Sequence, residues 1–258
     1  VFVVLVASWN VNGIRAVARK NLLPWEVMDG VDIWCLQETK ARPAQVAAAI
    51  AEPDGWHSAW VSANRPGYSG VAIFSRQQPD AVEEGLGEEI FDDEGRVLSV
   101  RFDDLLIVSA YFPNSQEAGK RLDYKLAFCR RMETWLAEQR EQGLRILLTG
   151  DYNIAHAAID LARPAANEGN PGYLPEERAW MSHYLGLGYH DIFREENPEL
   201  TAAYSWWSYR ARARNNNVGW RIDYCTCCPN LRPAVSRARI HPDIMGSDHC
   251  PVSVEVAV

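Results

Sequence analysis

Two short polar runs carry side chains able to do chemistry. Gly246-Ser247-Asp248-His249-Cys250-Pro251 announces the last apolar stretch of the chain, and Gly150-Asp151-Tyr152-Asn153 closes another apolar run almost a hundred residues earlier. An Asp-His pair and an Asp-x-Asn at the exits of strands are what hydrolysis of a phosphate ester with a hard metal ion would require. Asn10 and Asn12 follow the first apolar run, and Glu38 follows the next. Polar groups at the ends of buried strands converge on one rim of a sheet, where residues distant in sequence meet around a ligand. Each has a plainer reading when taken alone. Asn10, Asn12 and Asn153 suit turns that bond their own backbone, and Glu38 suits a solvated cap. Asp151 suits an Asx turn, and His249 a core imidazole satisfied by Asp248. Seven such residues on one rim are more than chance supplies.

The elements that must position them follow from hydrophobic periodicity. Apolar, β-rich runs predict strands at Phe2 to Ser8, Asp32 to Gln37, Gly70 to Ser75, Arg96 to Phe102 and Leu105 to Phe112. Helices are expected from about Arg15 to Asp29 and from about Pro43 to Ala51. Leu122, Leu126, Cys129 and Leu136 recur at helical spacing, so a long amphipathic helix should run from about Gly119 to Gln142 and stop at Gly143. Further strands are expected at Arg145 to Thr149, Trp220 to Cys227, Ala234 to Ile240 and Pro251 to Val256. Pro175, Glu176 and Glu177 open another helix. Sheet runs in two similar halves predict two packed mixed sheets with helices outside, an α/β sandwich.

Composition bounds the partners. With 258 residues, 47% of them apolar, the chain can bury a full core, and no linker, repeat or charge block divides it, so residues 1–258 are expected to form a single domain. Lys plus Arg is 26 and Asp plus Glu is 34, a net charge of −8, which argues against indiscriminate polyanion binding and confines any nucleic-acid contact to a local basic patch. The opening VFVVLVA runs directly into Ser8-Trp9-Asn10 and is expected to be a strand rather than a signal peptide. No apolar run is long enough to cross a membrane, so a cytoplasmic location without a membrane partner is expected. The six cysteines do not form a disulfide framework, and Cys225, Cys227 and Cys228 are expected to pack in the core despite their formal C-x-x-C.

One segment could select a nucleic-acid substrate. Tyr204, Trp206, Trp207, Tyr209, Arg210, Arg212, Arg214, Trp220 and Arg221 interleave rings with cations, with Asp223 the acid nearby. Such a stretch can grip a phosphate backbone and stack on exposed sugar or base faces. The alternative is that these tryptophans are core.

Eight ordered motifs spanning nearly the whole chain carry a resemblance: SWNVNGIRA at 8–16, LQETK at 36–40, GYSGVAIFS at 67–75, YFPNS at 111–115, GDYNIAHAAIDL at 150–161, GYLPEERAW at 172–180, NVGWRIDY at 217–224 and GSDHCP at 246–251. The sequence resembles the exonuclease III family of abasic-site DNA endonucleases, of bacterial or archaeal type, within the endonuclease/exonuclease/phosphatase superfamily. The resemblance implies a four-layer α/β sandwich and Mg²⁺-dependent cleavage 5′ to abasic sites in duplex DNA by a monomer, with Mn²⁺ as a possible substitute. It implies that Glu38, with Asn10, Asp151, Asn153, Asp248 and His249 around it, holds the metal. Asp151 would orient or deprotonate water, Asn153 would hold water or phosphate, Tyr111 would offer its hydroxyl, and His249, fixed by Asp223, would bond a phosphate oxygen. Trp206, Trp220 and Ile222 would wall a pocket for a baseless sugar, and Arg210 would wedge into the duplex. Asn12, Lys40, Arg65, Tyr68, Asn114, Arg121, Lys125 and Asn170 are the remaining candidate DNA contacts.

The residues leave open which of Asp151 and His249 acts as the base, and whether one metal or two take part. Asn12 stands where some branches have Asp, and Glu117 where some relatives place a DNA-inserting Arg. A dominant 3′ exonuclease or 3′-phosphatase is the second enzymatic reading. A DNA-binding or redox protein without catalysis is the reading from another class.

Overall fold

In the computed structural model, which describes residues 2–258, the chain forms two six-stranded sheets. Strands β1 (Val3–Asn10), β2 (Ile33–Gln37), β3 (His57–Val61) and β4 (Val71–Ser75) build most of the first. The second is made by β5 (Ala81–Glu84), β6 (Val97–Phe102), β7 (Leu105–Tyr111), β8 (Arg145–Asp151), β9 (His190–Asp191) and β10 (Asp223–Cys227). The chain then returns, and β11 (Val235–Ile240) and β12 (Val252–Ala257) complete the first sheet in the order β11-β12-β1-β2-β4-β3. The second sheet has the order β5-β6-β7-β8-β10-β9. Each holds one parallel pair, β1 with β2 and β7 with β8, among antiparallel neighbours. The two halves expected from sequence are therefore not two sheets in succession. This crossing back matters, because it sets the segment before β12 against the exit of β1, with Ser8 opposite Val252.

The helices are α1 (Ile14–Ala18), α2 (Pro24–Val27), α3 (Ala48–Ala51), α4 (Glu89–Asp92), α5 (Leu122–Glu141), α6 (Pro164–Asn167), α7 (Pro175–Gly186) and α8 (Ile192–Glu196). Ile14 and Val17 of α1 pack with Trp9, Trp34 and Phe74 on the outer face of the first sheet, while Val6, Cys35 and Ile73, one residue out of phase, face the second sheet. Strands covered on both faces read as continuous apolar runs, which is why they were legible. Phe128, Met132 and Leu136 of α5 and Met181 and Tyr184 of α7 cover the second sheet, completing the four-layer α/β sandwich. Between the sheets Gln37 donates to Ser8 Oγ and to Ser109 Oγ, both at 3.0 Å, a buried polar tie close to the rim where the polar strand ends meet. Among the described residues no helix is long and apolar enough to cross a membrane.

Several expected elements are shorter or rotated. The helix expected from Arg15 to Asp29 is two short ones, α1 and α2, and the one expected over Pro43 to Ala51 is a 3₁₀ turn at Pro43–Gln45 followed by α3. Pro24 lacks the N–H that would have continued a helix through it, whereas the second break falls at Val46 and Ala47, whose backbone is extended. The strand expected from Trp220 begins only at Asp223. The buried stripe of α5 is Lys125, Phe128, Cys129, Met132, Trp135, Leu136 and Gln139 rather than one containing Leu122 and Leu126, which are only partly covered. β3, β5 and β9 have no counterpart in the sequence reading. They lie at or beside sheet edges, and β5 exposes three of its four residues, so apolar alternation is missing.

One glycine is fixed by the sheet. Gly150 of β8 has φ +142, and a Cβ there would overlap the backbone of Ala110, its partner on β7. Gly150→Ala should therefore cost about 2–4 kcal/mol of stability, read as a lower urea midpoint at unchanged slope.

Candidate active site

One edge of the sandwich gathers the polar strand ends. Asn10 closes β1, Glu38 follows β2, Tyr111 closes β7, Asp151 closes β8, Asp223 opens β10, and Asp248-His249 precede β12. The antiparallel pairing of β1 with β12 and of β8 with β10 brings residues from opposite ends of the chain to the same edge. Glu38, Tyr111, Asn114, Asp151, Asn153, Pro171, Gly172, Trp206, Trp220, Ile222, Asp248 and His249 line a cavity of about 210 Å³.

The backbone is bent to aim these groups. Asn12, Glu38, Lys40 and Asn153 have φ of 46°, 51°, 52° and 52°. Left-handed backbone at non-glycine residues costs roughly 1–2 kcal/mol each, and clusters where side-chain direction matters. Local bonds offset part of it. Asn12 N donates to Asn10 Oδ1 at 3.0 Å, and Asn153 N donates to Asp151 Oδ1 at 2.8 Å. Of the turns expected of these residues taken singly, those of Asn10 and Asp151 are thus present, while the Asn12 and Asn153 side chains bond other groups of the site, and Asp151 and Asn153 also line the cavity.

A continuous hydrogen-bond network joins the polar groups. Asn10 Nδ2 donates to Glu38 Oε1 and to Asp151 Oδ2, each at 2.9 Å, so a neutral amide separates two carboxylates. His249 lies between two acids, its Nδ1 2.8 Å from Asp223 Oδ2 and its Nε2 3.7 Å from Asp151 Oδ2. Asn153 donates to Asp151 Oδ2 at 3.3 Å and accepts from Asn114 at 3.1 Å. Asp248 accepts from Asn12 at 2.9 Å and from Trp206 Nε1 at 3.1 Å. Lys40 Nζ sits 2.8 Å from Glu38 Oε2 and also bonds Asn12 Oδ1.

Burial separates the charge states. Desolvation pushes the Asp151 carboxyl up to about 7, with Asp223 and Glu38 adding to the rise and His249 and Asn10 opposing it. Burial alone would depress the His249 imidazole, but the carboxylates of Asp223 and Asp151 prevail and raise it to about 10. Burial, Glu38 and Asp151 hold the Tyr111 hydroxyl well above its ordinary value against the opposing charge of Arg96. Burial would also raise Asp248, yet His249 and the bonds from Asn12 and Trp206 keep it below the usual carboxylate range. At neutral pH the site thus contains an imidazolium, a neutral phenol and a buried acid near its midpoint.

Glu38, Asp151 and His249 each offer one ligand atom within 4.8 Å of the others, a group that could hold a metal ion. Asp248 lies outside that group, its two oxygens engaged by Asn12 and Trp206.

Around the cavity, Trp206 and Trp220 meet edge to face at 6.2 Å, and Tyr173 and Leu161 back them. Arg210 and Arg65 are exposed, the latter over the Tyr68 ring, and Asn170 is exposed and donates to Asn167. Arg121 is already engaged by Glu94 at 2.7 Å and by the Tyr68 hydroxyl at 2.9 Å. Three cations belong elsewhere. Lys125, expected to meet phosphate, is fully buried against Glu177 at 2.8 Å. Arg221 is buried between Asp160 and Asp191, at 2.8 and 2.7 Å, and Arg214 donates to the carbonyls of Pro242, Ile244 and Ser247. Acids distant in sequence claim Lys125 and Arg221, which reading the local segment could not reveal.

Some supports were not expected. Arg96, almost fully buried, lies 4.8 Å over the Tyr111 ring and donates to the Tyr111 carbonyl at 3.0 Å. Ser205 Oγ accepts from the backbone N–H of Ile222 and Asp223, and Trp9 Nε1 donates to the His249 carbonyl. None carries a sequence signal, since an Arg or Ser beside a strand is ordinarily solvated.

Comparison with known proteins agrees with this geometry. The model of the endonuclease/exonuclease/phosphatase family matches residues 7–249. The chain is similar to a Bacillus subtilis exodeoxyribonuclease, 42% identical over 97% of this chain and 98% of that protein. It is also similar to the DNA repair nuclease APEX1 of Danio rerio, 41% identical over 98% of this chain and 82% of that protein. Among solved structures, the AP endonuclease of Leishmania major superposes with a TM-score of 0.89 at 27% identity, over 99% of this chain and 88% of that one.

Proposed function

We propose, because the chain belongs to the endonuclease/exonuclease/phosphatase family and is a hydrolytic DNA repair nuclease, that it cuts duplex DNA on the 5′ side of abasic sites, leaving a 3′-hydroxyl and a 5′-deoxyribose phosphate. The observation that carries the abasic preference is the cavity. At about 210 Å³ it is smaller than the pockets of drug-sized ligands, and it is walled by Trp206, Trp220 and Ile222 beside the catalytic acids. A sugar without its base fits that space, and an intact nucleotide flipped from the stack would meet the rings. The chain is proposed to act as a single domain and as a monomer.

In this reading Asp151, its charged form made basic by burial, receives a proton from the attacking water, which Asn153 holds. His249, protonated and fixed by Asp223, points Nε2–H at a non-bridging phosphate oxygen. Tyr111 stays neutral and donates from beside Asp151, its register partner on the neighbouring strand. The carboxylate of Glu38, beside Asp151, suits a hard divalent cation, and Mg²⁺ is proposed. His249, its Nδ1 held by Asp223, is assigned to phosphate. The cation would supply charge neutralisation at the phosphate and the leaving oxygen.

The test is a duplex carrying one tetrahydrofuran abasic analogue, end-labelled, with Mg²⁺ and then with EDTA. One cut immediately 5′ to the lesion, lost in EDTA, is the expected result. Removal of successive 3′ nucleotides alone would favour the exonuclease reading, in keeping with the name of the Bacillus relative. Tight binding with no cut in either condition would sink catalysis. A thiol-based redox role has little support, because all six cysteines are buried and desolvation pushes Cys35 and Cys227 up to about 12.

A further inference from the structure

Beneath the site lies an ion pair that the reaction does not use directly. Lys125 of α5 and Glu177 of α7 are both fully buried, 2.8 Å apart. Taking two charges out of water is expensive unless their remaining hydrogen-bonding capacity is filled, and here the partners that fill it all belong to loops of the site. Glu177 Oε1 accepts from Ser115 Oγ at 2.6 Å as well as from Lys125, and Oε2 accepts from the backbone N–H of Gly172 and Leu174 at 2.7 and 2.9 Å. Lys125 Nζ also donates to the carbonyl of Asn153 at 2.7 Å.

Three separate segments are thereby tied to one buried pair. Ser115 follows Asn114, which bonds the Asn153 side chain. Asn153 holds its left-handed backbone between Asp151 and the Lys125 bond. Gly172 lines the cavity, and a Cβ there would come within 3.2 Å of both the Asn153 carbonyl and the Trp220 ring, so the wall, the water-holding amide and the loop are in close register. Ala155 N donates to the Gly172 carbonyl at 2.8 Å and closes the ring of contacts.

We propose that Lys125 and Glu177 are positioning residues, a buried ionic brace that sets Asn114, Asn153 and the Gly172 wall relative to one another and so governs the catalytic step rather than DNA affinity. The proposal rests on the abasic-site reading above only for its kinetic arm.

The test uses the full chain carrying Lys125→Met together with Glu177→Gln, which removes both charges and leaves no orphan ion. Two measurements are made, incision kinetics on the tetrahydrofuran duplex and amide hydrogen exchange. The expected result is a kcat lower by about 10–100-fold with KM within about threefold of wild type, because a small misplacement of reacting groups is costly while phosphate contacts persist. Exchange should accelerate together in segments 113–116, 153–155 and 171–174, with β7 and β8 still protected. An unchanged kcat in the folded variant, or faster exchange confined to α5 and α7, would overturn the proposal. If the wild-type protein cuts no abasic duplex, the functional reading fails, and the exchange pattern still decides the brace. Should the double variant not fold, Glu177→Gln alone, which keeps the shape of the side chain but turns one of its two acceptor oxygens into an amide donor and leaves Lys125 only the Asn153 carbonyl, gives the same two readouts.

Discussion

Asp151→Asn should lower kcat for abasic-site incision by roughly 10²–10⁴-fold, the range that a positioned general base supplies, with little change in duplex binding. The substitution keeps the shape of the side chain and the oxygen that accepts from Asn153 N, but puts an amide NH₂ where Oδ2 accepts from Asn10 and Asn153 and would take the proton of water. Its effect on the fold is the difference of two opposed terms. Burial holds Asp151 at about 7, above the ordinary carboxylate value. The native state therefore binds this proton more tightly than the unfolded chain does, and stability from this group is present at low pH and lost as pH rises to about 7. Above that pH the charged, buried Asp151 opposes folding, so relief of that charge in the neutral Asn offsets the bonds lost from Asn10 and Asn153, and the melting temperature measured in EDTA should change little. A variant that loses activity and melts earlier would instead mark Asp151 as structural. The same titration predicts an acid limb in the pH–rate profile of wild type, with activity rising as Asp151 ionises. Raising Mg²⁺ should move that limb to lower pH, since a neighbouring cation favours the carboxylate.

Asp223→Asn acts at the other end of the profile. The wild-type imidazole is raised to about 10, so it remains a donor throughout the neutral range. Asp223 supplies both a charge and a 2.8 Å bond to Nδ1, and its other oxygen has no partner among the described residues, which leaves the imidazole as its main ionic contact. Removing the charge, the foremost one holding the proton on this buried ring, lowers the pH at which His249 loses its proton, and the alkaline limb should move down by several units, into the neutral range. At pH 8 the loss in kcat should be on the order of 10²–10⁴-fold, as expected when an orienting acid behind an imidazole is neutralised. Lowering the pH toward 6 should recover part of the loss if protonation is what failed. No recovery at any pH would mean that Asp223 chiefly holds the ring in place.

These expectations draw on residues that were visible from the outset, and the reason is physical. Asn10, Glu38, Asp151 and Asp248-His249 flank strands buried on both faces, so each interrupts or ends an apolar run and announces both an element and its exit, whereas Tyr111 and Asp223 were reached through the family resemblance. The sandwich was readable from the same runs, because burial between helices and a second sheet leaves no polar face to obscure them. What the chain's order could not convey was partnership across it. Lys125 on a helix, Arg221 beside the aromatic segment and Arg96 at a strand start all resemble surface cations locally. Their roles were decided by Glu177, Asp160 and Asp191, and the Tyr111 ring, which only folding brings near. The edge strands β3, β5 and β9 escaped for the converse reason, since a strand with little to bury has little pattern to show. Sequence by itself determined the layers, the rim and most groups on it, because burial imprints periodicity on the chain. The tertiary structure alone decided which charges stay exposed around the rim and which are spent holding the site together, because Coulomb energy and desolvation depend on neighbours that sequence distance does not encode.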